Sequence, residues 1–219
     1  SIFLRFLDEH KEFTRLKRSY RLLDQFDQKY FIYNNIQEYI NVENSDLLLG
    51  DHRTPSWLKA NKLIGYINTV GEENLDYKIL KSSEDPGVKA IGHFYEIYSN
   101  QVFEDNSLDF SFIQTEAYNL IKNNSSVISE IQNKIKYIMV DEYQDTNNAQ
   151  YEMVRLLVGK HLGLTVVGDD DQSIYAWRGA NPENLNQLQA DYPDMQLVKL
   201  EQNYRSMGRI LEVANHLIS

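Results

Sequence analysis

Residues 137–142 read Y-I-M-V-D-E, a short apolar run that ends in two acidic residues. Two later stretches have the same form, L-T-V-V-G-D at residues 164–169 and Q-L-V-K-L-E at residues 196–201. Short apolar runs bounded by polar residues are typical of buried strands. Helical stretches lie between them, at residues 148–158 and 182–190. The order strand, helix, strand, helix predicts a parallel sheet with right-handed crossovers.

Polar side chains follow each of the three predicted strands. Asp141 and Glu142 follow the first, G-D-D-D-Q at residues 168–172 follows the second, and Q-N-Y-R at residues 202–205 follows the third. In such sheets the polar residues beyond the carboxyl ends of the strands form the site. Adjacent carboxylates at a strand end can serve a hydrated Mg²⁺ ion, one as its ligand while the other orients a water. The plain alternative is a solvated acidic turn.

The first 134 residues have a different character. Apolar side chains recur there at intervals of three and four residues, as in Phe26, Tyr30 and Tyr33, which is helical periodicity. We therefore predict an α/β chain with a helical subdomain at residues 1–134. An incomplete parallel sheet with flanking helices follows at residues 135–219.

Local signals predict where individual helices begin and end. Thr54 is a candidate N-cap, Pro55 suits the first helical position, and Gly71 is a candidate stop. A further helix is predicted over residues 88–103, and a last one over residues 206–218.

Composition bounds the class of protein. The chain has 219 residues, 42% of them hydrophobic, with only 4 Pro and 10 Gly, which excludes disordered and collagen-like proteins. No apolar run approaches the roughly 20 residues that span a bilayer, so we expect no membrane segment. The formal charge of −10 means that any contact with nucleic acid must be local. The absence of cysteine fits a reducing compartment, and we predict a cytoplasmic protein.

Three segments, in order, carry a specific resemblance. They are V-D-E-Y-Q-D-T-N at residues 140–147, V-G-D-D-D-Q-S-I-Y-A-W-R-G-A at residues 167–180 and L-E-Q-N-Y-R-S at residues 200–206. They resemble motifs II, III and IV of the UvrD/Rep group of superfamily 1 DNA helicases, and Leu108–Phe110 looks like the segment that leads out of the family's helical subdomain 1B. The resemblance implies a fold of the P-loop NTPase type, with a 1B-like subdomain followed by part of the RecA-like subdomain 1A.

The same resemblance implies roles for five residues. Asp141 would hold Mg²⁺, and Glu142 would polarise the water that attacks the γ-phosphate of ATP. Gln172 would sense the γ-phosphate and link it to the DNA site. Arg205 would stabilise the developing charge as an arginine finger, and Tyr204 would stack on adenine. The alternative for the last pair is a core arginine beside a core tyrosine.

Tyr175, Trp177 and Arg178 form the predicted site for single-stranded DNA. Aromatic faces stack on any base at roughly 1–3 kcal/mol per base, and an adjacent guanidinium can contact phosphate. The alternative is ordinary packing, because aromatic side chains dominate cores.

A basic stretch near the amino terminus has a weaker pattern. Lys11, Arg15 and Arg18 are spaced so that a helix would bring them to one face. That face could touch duplex phosphates, but a solvated face is the simpler interpretation, since Asp8 and Glu12 interrupt it.

A phosphate-binding loop of the form G-x-x-x-x-G-K-[ST] does not occur in the sequence, whose only Gly-Lys pair is Gly159–Lys160. The family's sheet places the strand that bears this loop between the second and third strands predicted here, so we expect a gap there. We expect a piece of an ATP-dependent 3′-to-5′ DNA helicase or translocase that uses ATP and Mg²⁺. Its expected partners are single-stranded DNA, single-strand/duplex junctions and repair or replication-restart proteins. The alternatives are the motor subunit of a helicase–nuclease complex and a non-hydrolysing interaction module.

Overall fold

The described part of the chain is mostly helical and contains two small parallel sheets. The computed structural model describes residues 2–17, 19–159, 163–169 and 183–218. The helices are α1 (Ile2–Glu9), α2 (Gln25–Asn34), α3 (Ile36–Ile40), α4 (Ser45–Leu49), α5 (Ser56–Glu72), α6 (Tyr77–Lys81), α7 (Pro86–Glu104), α8 (Phe110–Asn123), α9 (Ser125–Lys134), α10 (Asn148–Val158), α11 (Glu183–Asp191) and α12 (Gly208–Ile218). The strands are β1 (Arg21–Leu22), β2 (Ser107–Leu108), β3 (Tyr137–Val140) and β4 (Gly163–Val166).

The predicted helical character of the first 134 residues is confirmed. In α7, the side chains of Ala90, Phe94, Tyr98 and Val102 recur every four residues, and all of them are buried. Because a helical turn takes 3.6 residues, this spacing gathers them on one face. That face joins the buried faces of α5 and α8 in the main hydrophobic core.

Asp109 connects three of these helices. Its Oδ1 accepts a hydrogen bond from the backbone N–H of Phe112 at 2.7 Å, which caps the start of α8. Its Oδ2 accepts from the Tyr98 hydroxyl of α7 and, at 3.1 Å, from the Gln28 amide of α2. Burial raises the pKa of this carboxyl, against the opposing effect of those hydrogen bonds. The segment singled out at Leu108–Phe110 therefore carries a structural carboxylate.

Two of the predicted helix boundaries need correction. Helix α5 begins at Ser56, so Pro55 occupies the N-cap rather than the first helical position. Gly71 does not end the helix, which continues to Glu72. The glycine serves packing instead, because a Cβ at this position would overlap the Ser111 hydroxyl of α8.

The helical basic face predicted near the amino terminus is wrong. Only a short 3₁₀ turn forms there, at Lys11–Phe13, so the assumed helical spacing does not exist. The charges are engaged locally: Lys11 Nζ lies 3.0 Å from Asp8 Oδ1, and the Arg15 guanidinium lies over the Phe103 ring. Arg18 falls outside the described residues.

Two of the three predicted strands are confirmed. β3 and β4 pair in parallel, with Tyr137 opposite Gly163 and Val140 opposite Val166. Helix α10 connects them, as the alternation of strand and helix predicts. Strands β1 and β2 form a second parallel pair, and β2 ends directly before Asp109.

The third predicted strand, at residues 196–200, does not form. Its apolar side chains lie open to solvent, with Leu200 84% exposed and Val198 73% exposed. A strand needs a neighbour for its backbone hydrogen bonds. None of the described strands pairs with this segment, so its backbone has no strand partner in the described part of the chain.

Helices on both sides of residue 134 share one core. Met153 and Leu157 of α10 are buried in the cluster that α5, α7 and α8 form. The division into domains at residue 134 stays a prediction. Within the described ranges, no helix is both long enough and apolar enough to cross a bilayer.

Candidate functional site

The carboxyl end of β3 turns sharply at the two acidic residues. Glu142 adopts a left-handed backbone conformation with φ of 51°, which costs a non-glycine residue on the order of 1 kcal/mol. A 3₁₀ turn follows at Tyr143–Asp145. The Asp141 Oδ1 accepts a hydrogen bond from the Glu142 N–H at 3.0 Å, and both acidic residues are exposed. The turn therefore presents two carboxylates at the strand end.

The loop after β4 is held against this turn by backbone hydrogen bonds. Val167 N–H donates to the Val140 carbonyl at 2.8 Å, and Tyr143 N–H donates to the Val167 carbonyl at 2.9 Å. Gly168 comes next, and a Cβ there would lie 2.9 Å from the Gln144 Oε1. The ends of the two strands thus form one compact unit, as expected for neighbouring parallel strands.

Gln144 joins the two strand ends through its side chain. Its Nε2 donates to the Glu142 Oε2 at 2.7 Å, and its Oε1 accepts from the Asp169 N–H at 3.0 Å. Gln144 is only 4% exposed, whereas Glu142 is exposed. No role for Gln144 was predicted from the sequence. Its position two residues after Glu142 was the available signal, but only the fold shows which groups its amide reaches.

The acidic residues line a cleft with largely apolar walls. Its volume is about 460 Å³. Asp141, Glu142 and Asp145 contribute carboxylates, and Phe3 of α1 and Met153 of α10 contribute apolar surface. Asp145 Oδ1 is buried and has no hydrogen-bond partner in the described part of the chain.

The donor set at this cleft suits a cation that is shared with a ligand. In the described ranges, no group of three or more His, Asp or Glu side chains could enclose a metal ion. Mg²⁺ is characteristically held by one or two carboxylates together with substrate phosphates and waters. Asp141, exposed at the strand end, fits that pattern.

Tyr204 and Arg205 lie on the surface. Tyr204 is 92% exposed, and Arg205 is exposed as well, so neither is the core residue that the alternative interpretation required. The Asn203 Oδ1 accepts hydrogen bonds from the N–H groups of Arg205 and Ser206, at 2.9 and 2.8 Å, which fixes the local turn. The Arg205 guanidinium forms no ion pair with any described residue. Among the described residues, none covers either side chain.

Four of the predicted site residues lie outside the described residues. These are Gln172, Tyr175, Trp177 and Arg178. Their roles as γ-phosphate sensor and as DNA-contacting side chains stay predictions.

A larger cavity of about 1010 Å³ lies beside the helical part. Phe26 and Phe110 are exposed at its rim, and Lys29 Nζ lies 4.3 Å from the centre of the Trp57 ring. Asp145 lines this cavity as well as the smaller cleft.

Comparison with known proteins gives a consistent family. A family model described as UvrD/REP helicase N-terminal domain matches residues 1–193. The chain is 39% identical to the ATP-dependent DNA helicase Rep of Buchnera aphidicola (subsp. Acyrthosiphon pisum) over 220 residues, which cover 100% of the chain and 32% of that protein. It is 50% identical to Rep of Escherichia coli K12 over 147 residues, 64% of the chain and 22% of that protein. Against the ATP-dependent DNA helicase PcrA of Staphylococcus aureus (strain Mu50) it is 35% identical over 219 residues, 100% of the chain and 28% of that protein. The chain thus spans about a third or less of the length of these relatives.

Proposed function

Because the chain belongs to the UvrD/REP helicase N-terminal domain family, we propose that it is part of an ATP-dependent 3′-to-5′ DNA helicase or translocase. The observation that carries the proposal is the geometry at the end of β3. There the Glu142 carboxylate is held by Gln144 beside Asp141, at the mouth of a cleft with apolar walls. Such a pair fits phosphoryl transfer, which depends on positioning and on charge stabilisation.

In this proposal the carboxylates of Asp141 and Glu142 have different roles. Asp141 binds Mg²⁺, which when present neutralises charge on the phosphate oxygens of ATP. Glu142 accepts a hydrogen bond from the attacking water and orients it toward the γ-phosphate. As the water oxygen bonds to the γ-phosphorus, the bond from that phosphorus to the bridging oxygen of ADP breaks, Glu142 takes up the water proton and ADP leaves. The hydrogen bond from Gln144 restricts the orientation of the Glu142 carboxylate.

The exposed pair after residue 203 completes the nucleotide site in the proposal. Tyr204 stacks on adenine, and Arg205 stabilises the negative charge that develops during transfer. The exposure of both side chains supports these roles. Gln172 senses the γ-phosphate, and it passes that state to Tyr175, Trp177 and Arg178, which bind single-stranded DNA.

The proposed partners are single-stranded DNA and single-strand/duplex junctions, together with repair or replication-restart proteins. We also propose a cytoplasmic location. No observation on the described residues favours a helicase–nuclease motor or a non-hydrolysing module over this function.

Steady-state phosphate release by the full-length protein, with and without single-stranded DNA, tests the proposal. Glu142→Gln should reduce turnover to a small residual rate while nucleotide binding persists, because the amide keeps the shape of the carboxylate and loses its basicity. Arg205→Ala should slow hydrolysis by up to roughly 10³-fold. Glu130→Gln is the matched control, since Glu130 is an exposed residue that pairs with Lys134, one turn away on α9.

The outcomes separate the parts of the proposal. A full-length protein that releases no phosphate in the presence of DNA would overturn the function as a whole. Near-normal turnover in Glu142→Gln or in Arg205→Ala would remove that residue from the mechanism and leave the rest standing.

A further inference from the structure

The side chain of Gln144 is placed to control the Glu142 carboxylate. It is buried, and both ends of its amide are used: the Nε2 donates to Glu142 Oε2 at 2.7 Å, and the Oε1 accepts from the Asp169 N–H at 3.0 Å. A buried amide with both ends satisfied has one favourable orientation, because turning it over would set like groups against each other. Gln144 therefore holds its donor toward Glu142.

Glu142 needs such support because its backbone alone does not fix the carboxylate. The residue sits in the left-handed region and is exposed, so its side chain has several rotamers available. Among the hydrogen bonds of the described residues, the one from Gln144 is the only side-chain bond that reaches the Glu142 carboxylate. A carboxylate that orients an attacking water supports a faster reaction when its own orientation is fixed.

The other end of the amide reaches the loop after β4. Asp169 lies three residues before Gln172 in the sequence. Gly168 brings this loop close, since a Cβ there would stand 2.9 Å from the Gln144 Oε1 and 3.4 Å from the Tyr143 Cβ. A displacement of the loop would therefore move the Gln144 amide, and the amide would in turn move the Glu142 carboxylate that it holds.

We propose that Gln144 is a positioning residue that orients the Glu142 carboxylate for hydrolysis and ties that orientation to the loop at Gly168–Asp169. This inference rests on the proposed function, because it assigns Gln144 to the same ATP site. Gln144 does not touch the reacting atoms. It acts on kcat through Glu142, and it leaves the binding of ATP to other residues.

The test uses DNA-stimulated ATP hydrolysis by the full-length protein. Gln144→Leu removes both hydrogen bonds at similar volume, and kcat should fall by about 10- to 100-fold while KM for ATP stays within about twofold. Gln144→Glu should lower kcat at least as much, because it keeps an acceptor for Asp169 and faces Glu142 with a second carboxylate. Gln132→Leu is the matched control, since that amide donates to the Leu156 carbonyl at 3.0 Å, and its kcat should be unchanged.

A second perturbation leaves Gln144 in place. Gly168→Ala adds a methyl group against the Gln144 Oε1, and kcat should fall several-fold at nearly constant KM. Gly65→Ala is its control, because nothing lies within 4 Å of a Cβ at that position. Gly168→Ala and its control Gly65→Ala therefore test the contact between the loop and the Gln144 amide without replacing Gln144.

A double-mutant comparison separates positioning from a general loss of stability. If Gln144 acts through Glu142, adding Gln144→Leu to Glu142→Gln should cause no further loss of the residual turnover. A multiplicative loss in that background would overturn the inference, as would normal kcat in both Gln144→Leu and Gly168→Ala. A wild-type protein without ATP hydrolysis would instead overturn the proposed function, and this inference with it.

Discussion

Glu116 on α8 is a carboxyl whose ionisation opposes folding. Burial raises its pKa to about 7, and the guanidinium of Arg15 only partly offsets this effect. The folded chain therefore keeps a proton on Glu116 at a pH where the unfolded chain has released it. Stability from this group is fully present below the unfolded pKa of about 4.5 and is lost as the pH rises toward 7.

Replacing Glu116 by Gln should remove that pH dependence. The variant should be more stable than the wild type at pH 7.5 by about 3 kcal/mol, because the pKa of Glu116 rises from 4.5 to about 7 and one pKa unit corresponds to about 1.4 kcal/mol, and it should gain little at pH 4.5. Urea unfolding at both pH values measures the difference. Glu84→Gln, at an exposed position, should follow the wild type at both, and equal pH dependence in Glu116→Gln and the wild type would contradict the assignment.

At the scale of the element, two glycines inside long helices differ in their surroundings. Gly92 of α7 faces α6, where a Cβ would lie 2.7 Å from the backbone nitrogen of Lys81 and 2.9 Å from the carbonyl oxygen of Tyr77. Gly65 of α5 is exposed, and a Cβ there would meet nothing within 4 Å. Gly92 is therefore needed for the close approach of α6 and α7, whereas Gly65 makes no comparable contact.

The two alanine variants should therefore move stability in opposite directions. Gly65→Ala should stabilise the protein by roughly 0.5–1 kcal/mol, because alanine has the higher helix propensity. Gly92→Ala should destabilise it by about 1–3 kcal/mol, because the obstructing atoms belong to the backbone and cannot rotate away. Thermal or urea unfolding measures both, and a stabilised Gly92→Ala would refute the close approach of the two helices.

Strand formation in this chain depends on pairing between segments. β3 and β4 form because each provides the other with a hydrogen-bonding partner, and their backbone ladder continues to Val167. Residues 196–200, Q-L-V-K-L, also hold three apolar residues, but they pair with no described strand and they form no strand. Strand propensity by itself is insufficient, since a strand is stabilised by pairing.

At the scale of the whole molecule, the sequence holds the carboxylates that we propose for an ATP site but no G-x-x-x-x-G-K-[ST] loop. That loop supplies the backbone N–H groups and the lysine that hold the β- and γ-phosphates. Without them Glu142 and Asp141 have no firmly bound substrate to act on.

The chain of 219 residues, expressed by itself, should therefore release no phosphate above background with or without single-stranded DNA. Phosphate release beside the full-length protein at equal molar concentration measures this, with circular dichroism to show that the chain is folded. DNA-stimulated turnover by the folded chain would mean that other residues bind the phosphates.

The sequence by itself determined the local features of this protein. Helical periodicity predicted the helices of the first 134 residues, and short apolar runs predicted β3, β4 and their parallel pairing through α10. The position of Asp141 and Glu142 at the end of a strand was predicted as well, because strand pattern and position along the chain are local properties, and their roles stay predictions. The family was recognised for the same reason, from ordered motifs.

The tertiary structure decided what depends on neighbours that are distant in sequence. It placed Gly71 inside a helix against Ser111, left residues 196–200 unpaired, and brought the Gln144 amide between Glu142 and the Asp169 N–H. Close approach, strand pairing and hydrogen-bond geometry are properties of two segments together. A pattern read along one segment does not contain them, because the partner atoms come from elsewhere in the fold.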